Sequence, residues 1–150
     1  MRSQVDLNVV EQLRNVYIFN EVSPRHLEKI AAQGKVVHHE PGHVIMTEGR
    51  SALGFHLLLE GEAEIIVHGE IRKTVGPGEY VGEIAVIDGK PRSASVRARS
   101  EVKAWAISDT AFKTLLEKEP GLALAVLRGL CSRIREAEQV PAAATTKPTD

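Results

Sequence analysis

The most chemically loaded feature of this 150-residue sequence is an arginine standing where an apolar side chain is expected. Arg92 falls in phase with Ala94, Val96 and Ala98 of an alternating strand, opposite Ser95, Arg97 and Arg99. If the strand phase reaches back to it, the guanidinium points inward, where an unpaired charge costs several kcal/mol and an anionic partner is required. Two partners suit it: a carboxylate of the same chain, Glu83 being nearest in sequence, or the phosphate of a ligand. The surroundings favour the ligand. Gly82 lets backbone approach closely, and the apolar run Ile84 to Ile87 can form a short helix whose free N–H groups favour an anion. Arg92 would add the planar fork suited to phosphate oxygens. Glu83, itself anionic, is badly placed for phosphate and well placed to accept a sugar hydroxyl, so the pair reads as phosphate plus ribose.

The elements that must position these residues lie on either side. Leu7, Val10, Leu13 and Val16 recur at three-residue steps, which suits an amphipathic helix from Asp6, its cap, to about Tyr17. Ser23-Pro24 opens and Gly34 closes a second helix with Leu27, Ile30 and Ala31 on one face. Short apolar runs punctuated by glycine follow from Lys35 to Ile107. They predict strands at Lys35–His39, Val44–Thr47, Phe55–Leu59, Glu62–Val67, Ile71–Val75, Glu79–Val81, Ser93–Arg99 and Glu101–Ile107. Eight short strands suggest a mainly β fold, an eight-stranded jelly-roll β-barrel with N-terminal helices. In the fourth strand Ala63, Ile65 and Val67 share the dry face, which should line the pocket.

Ser108 or Asp109 can cap a helix bearing Phe112, Leu115 and Leu116, and Pro120-Gly121 breaks it before a longer helix, Leu122 to Gln139. That helix carries two apolar stripes. Leu122, Val126 and Leu130 suit packing on the barrel; Leu124, Leu127, Cys131 and Ile134 have the spacing of a helix–helix seam and suggest a homodimer, unless both stripes are buried within one subunit. The expected division is 1–34 for the N-terminal helices, 35–107 for the barrel with its phosphate-binding segment 78–94, 108–139 for the C-terminal helices, and 140–150 for a disordered tail.

Composition narrows the function classes. A formal net charge of -1 and a pI near 6.6 give no basic footprint, so no nucleic acid partner is expected. The single cysteine, Cys131, rules out an internal disulfide, and neither a signal-peptide pattern nor a membrane-length apolar run appears. The expected setting is cytoplasmic, with no membrane partner. Histidines at 26, 38, 39, 43, 56 and 68 raise a metal-binding jelly roll, yet no H-x-H with a spaced Glu appears, so no metal is expected. No nucleophile–base–orienter set is evident, and the chain reads as a binding protein rather than an enzyme. The starting Met1 fits a small whole protein; a fragment of a longer chain would look similar.

Gly82-Glu83-Ile84-Ala85 followed by Pro91-Arg92-Ser93-Ala94 resembles the phosphate-binding cassette of cyclic nucleotide-binding domains, including the sensor domains of the catabolite activator protein and of protein kinase A regulatory subunits. The resemblance runs from about Tyr17 to Ile134. It implies that Arg92 binds the cyclic phosphate, that Glu83 takes the ribose 2′-hydroxyl, that Gly82 permits close approach to the sugar, and that the amides of Ala85 and Ser93 face the phosphate. It further implies Ile65 and Val75 against the base and a C-terminal helical lid on which Arg133 contacts or covers the base. The threonine–serine pair that reads adenine in bacterial members is replaced by Ala137 and Glu138. Serine after the cassette arginine accompanies cyclic AMP in bacterial members and threonine there cyclic GMP in eukaryotic ones, so Ser93 implies cyclic AMP, with cyclic GMP as the alternative. The expected role is a cyclic nucleotide sensor that signals through its last helix to an unknown effector protein. The alternative is a ligand-independent interaction module of the same fold, with Arg92 neutralised internally.

Overall fold

A computed structural model describes residues 7–49 and 54–146 of the chain. The first helix, α1 (Leu7–Arg14), leads into a 3-10 turn, Tyr17–Phe19, and α2 (Pro24–Gln33) follows. Asp6, the expected cap of α1, lies outside the described residues. Ser23 caps α2 as its chemistry requires: its side chain accepts a hydrogen bond from the His26 amide, and Pro24 supplies the first helical residue.

Eight strands come next: β1 (Lys35–His39), β2 (Val44–Met46), β3 (Phe55–Glu60), β4 (Ala63–Val67), β5 (Glu70–Val75), β6 (Tyr80–Val81), β7 (Ser95–Ala98) and β8 (Val102–Ile107). They pair as two antiparallel four-stranded sheets, β1-β8-β3-β6 and β2-β7-β4-β5, the double-sheet order of a jelly roll. Between β6 and β7 the chain makes one turn of helix, α3 (Ala85–Asp88), ended by Gly89 in the left-handed conformation. After β8, Ser108 caps α4 (Asp109–Lys118) by accepting from the Ala111 amide.

The last helix, α5, spans Pro120–Thr146. It begins two residues before the expected start, because proline is tolerated at a first helical position. It also continues past Gln139 through part of the segment read as a tail: Ala142, Ala143 and Ala144 have the highest helix propensity of any residue type, and the loss at Pro141 is local. The last four residues, 147–150, lie outside the described residues.

Two apolar clusters hold these parts together. Ile45, Met46, Leu58, Ala63, Val75, Val96 and Ala104 fill the space between the sheets. The larger cluster lies on the other face of the first sheet, where Phe55, Leu57, Trp105 and Ile107 meet the helices through Leu13, Phe19, Leu27, Phe112 and Leu122. Phe19 stands edge-on to Phe55 at 5.9 Å and lies 6.0 Å from Phe112, so the 3-10 turn is clamped between sheet and α4. On α5, Leu122 and Val126 are buried in this cluster, whereas Leu124, Leu127 and Ile134 are exposed. The second stripe is therefore uncovered among the described residues.

Candidate functional site

The segment between β6 and β7 leaves a cleft of about 470 Å³ against the inner face of the second sheet. That volume lies within the roughly 300–1,000 Å³ of small-molecule sites. Gly82, Glu83, Ile84, Ala85, Arg92, Ser93, Ala94 and Ile65 line it, eight of the residues singled out from sequence brought to one place. Val75 and Arg133 are not among them. Val75 is 1% exposed in the core between the sheets, because its position opposite Ala63 on β4 turns it inward. Arg133 lies on the exposed side of α5 with its guanidinium carbon 4.6 Å above the Tyr17 ring. Ala137 and Glu138 are exposed further along that helix.

Arg92 is 6% exposed. It lies just before β7 rather than in it, yet it is directed inward as the strand phase implied. One guanidinium nitrogen, Nη2, donates to the carbonyl of Gly54; the other, Nη1, is buried without a partner among the described residues. Burial pulls the guanidinium below its ordinary pKa, opposed by the charges of Asp109 and Glu83. No carboxylate forms an ion pair with it among the described residues, so Glu83 and Asp109 act on it only from a distance. An orphaned guanidinium nitrogen at a cleft fits an anionic ligand and is costly without one.

Backbone holds this arginine in place. The Arg92 carbonyl accepts from the Gly49 amide at 2.8 Å, and three residues on, Ser95 Oγ accepts from the Glu48 amide at 2.8 Å. Gly82 has φ +88°, and a β-carbon there would overlap Arg92 Nη1 and sit 2.7 Å from the Gly54 oxygen. Glycine is thus required twice, for its backbone conformation and for the space the guanidinium occupies.

Glu83 is half-buried, and its carboxylate faces Tyr17, whose hydroxyl donates to Oε2 at 3.4 Å. Burial raises its pKa above the usual carboxylate range; its own amide, the Tyr17 hydroxyl and the charges of Arg133 and Arg92 oppose the rise. Tyr17 is pushed up to about 12, by burial first and by the Glu83 charge second. Lining residues not proposed as ligand contacts from sequence include Met46, Tyr80, Asp88 and Lys90. Lys90 adds a second cation at the mouth and stands between Gly89 and Pro91, where a loop lysine carries no distinguishing pattern. Met46 and Tyr80 reach the cleft only through the pairing of β2 with β7 and of β6 with β3.

Three of the six histidines gather on their own, while His26 and His68 meet Glu119 and Glu48. The His39 and His43 rings stack at 4.9 Å, and His56 lies 6.0 Å from His39. No cluster of three or more His, Cys, Asp or Glu among the described residues converges on a metal position.

A family model described as "Cyclic nucleotide-binding domain" matches residues 36–119. A cAMP-dependent protein kinase regulatory subunit of Emericella nidulans is 39% identical over 106 residues, covering 69% of this chain and 26% of that protein. A cGMP-dependent protein kinase of Toxoplasma gondii is 32% identical over 112 residues, covering 74% of this chain and 11% of that one. This chain thus corresponds to a small part of the length of these relatives. Among solved structures, the N-terminal domain of a transcriptional regulator from Streptomyces coelicolor A3(2) superposes with a TM-score of 0.78 at 25% identity, over 85% of this chain and 95% of that one. A cyclic nucleotide-binding-like protein from Brucella abortus gives 0.67 at 25% identity, over 73% of this chain and 98% of its own.

Proposed function

We propose, given that this chain belongs to the cyclic nucleotide-binding domain family, that it is a sensor whose preferred ligand is cyclic AMP and whose output passes through α5. The observation that carries this reading is the buried, orphaned Nη1 of Arg92 at a cleft of nucleotide-compatible size. A cyclic phosphate supplies the missing acceptor. Glu83 takes the ribose 2′-hydroxyl, Ile65 and Met46 offer apolar contact to the purine, and Ser93 stands at the rim for the phosphate or base. Cyclic AMP is favoured by Ser93 after the cassette arginine and by the cAMP dependence in the names of several relatives; cyclic GMP is the alternative, since one relative is named for it. Val75 and Arg133 then act outside the ligand's immediate shell. The role is binding without catalysis, in a cytoplasmic setting, with an effector protein as recipient and no nucleic acid contact. The exposed stripe of α5 supports a homodimer as the signalling unit.

Isothermal titration with cyclic AMP, cyclic GMP and 5′-AMP at matched ionic strength tests the reading. Binding of one cyclic nucleotide, with cyclic AMP the tighter and the linear control silent, is the expected result. Silence with all three, on folded protein free of copurified ligand, overturns it in favour of an interaction module.

A further inference from the structure

Glu83 is held by a residue 66 positions earlier in the chain, and that residue is itself wedged in place. Tyr17 belongs to the 3-10 turn that follows α1. Its ring packs 6.3 Å from Tyr80, a lining residue of the cleft, and the Arg133 guanidinium of α5 lies over the ring at 4.6 Å. Gly129 brings α5 directly onto this turn: a β-carbon there would stand 2.8 Å from the carbonyl oxygens of both Tyr17 and Ile18. The turn that carries the tyrosine is therefore packed directly against α5.

A carboxylate has two oxygens and about four acceptor sites. Tyr17 and the Glu83 amide take two of them, which leaves the carboxylate acceptor capacity for a ligand hydroxyl. At 3.4 Å the contact is longer than the roughly 2.7–2.8 Å of a strong O–H···O bond, so it leaves most of the carboxylate's acceptor strength for a ligand. Arg133 contributes twice, by stacking on the ring and by placing a positive charge near a half-buried anion.

We propose that Tyr17, itself held by Arg133, is a positioning residue that presents the Glu83 carboxylate to the ribose 2′-hydroxyl, so that discrimination between ribose and 2′-deoxyribose cyclic nucleotides depends on Tyr17 and Arg133 as well as on Glu83. The inference rests on the cyclic nucleotide reading above. It gives Arg133 a task other than contact with the base.

The test is calorimetric titration of the full chain with cyclic AMP and with 2′-deoxy cyclic AMP, for wild type, Tyr17→Phe, Arg133→Gln, Glu83→Gln and the Tyr17→Phe/Glu83→Gln pair. Wild type is expected to prefer the ribonucleotide by roughly 10- to 100-fold, the scale of a hydrogen bond to a charged group. Tyr17→Phe keeps the ring and should shrink that ratio by roughly 3- to 10-fold, Arg133→Gln should shrink it less, and adding Tyr17→Phe to Glu83→Gln should change nothing further, since the tyrosine acts only through the carboxylate. A Tyr17→Phe variant whose two affinities fall in proportion, leaving the ratio intact, overturns the inference alone. Absence of binding by wild type to either nucleotide overturns the nucleotide reading, and the inference with it.

Discussion

Arg92 presents the sharpest conflict between burial and charge in the molecule. Its Nη1 lies unpartnered among the described residues, so replacing it removes a desolvated cation rather than a completed ion pair. Arg92→Ala is therefore expected to leave the melting temperature of the free protein unchanged or higher. The same change should weaken cyclic nucleotide binding by roughly 30- to 1,000-fold, the scale of truncating one partner of a buried charge pair; melting and titration on one preparation check both. Gly82→Ala should impair both properties, because the added methyl competes with the guanidinium for its space. A separate expectation concerns His56. Burial first, then His39 and Arg92, lower it from 6.5 to about 4 in the folded protein. The unfolded chain takes up this proton as pH falls below 6.5 and the folded chain does so only near 4, so the stability contributed by neutral His56 is complete above pH 6.5 and is lost between 6.5 and 4. Urea unfolding of wild type should weaken across that window by up to a few kcal/mol, and His56→Gln should flatten the dependence.

Among the elements, the contact of α5 with the 3-10 turn sets two opposed effects against each other. Alanine in place of Gly129 would gain up to about 1 kcal/mol of helix propensity. It would also drive a methyl into the carbonyls of Tyr17 and Ile18, an overpacking cost of about 1–3 kcal/mol. The second is the larger, so Gly129→Ala is expected to be net destabilising in denaturant melts, against the usual direction for a helical glycine. The turn matters because Phe19 joins sheet and α4 through Phe55 and Phe112. By contrast, Ser108→Ala removes only the cap of α4 and should cost about 1 kcal/mol without altering ligand affinity.

At the scale of the whole molecule, Leu124, Leu127 and Ile134 form an apolar stripe left exposed among the described residues. Wild type is expected to sediment as a dimer at high micromolar concentration, and Leu127→Glu, which places a charge in the seam, as a monomer. Wild type that remains monomeric throughout that range would show that the stripe faces something other than its twin. The cleft lies apart from this stripe, so the monomeric variant should retain nucleotide binding.

Much of this architecture was legible in the sequence because its causes are local. All eight strands and both serine caps appear where alternation, glycine punctuation and capping chemistry placed them, and the spacing from Gly82 to Ala94 marked most of the cleft. The inward setting of Arg92 was legible too, since a period of two assigns faces without knowledge of the partner strand. Tertiary structure alone decided what each face meets. Val75, set against the base by the resemblance, is buried between the sheets by its register against Ala63. Arg133 had the right helix, but the rotation of α5 laid it over Tyr17. The partner of Glu83 is likewise a tyrosine 66 residues away, brought there by the packing of the N-terminal turn on α5. Propensity and periodicity act over a few residues and fix element type and facing, whereas register and helix rotation are set by close packing among distant segments, which no local pattern encodes.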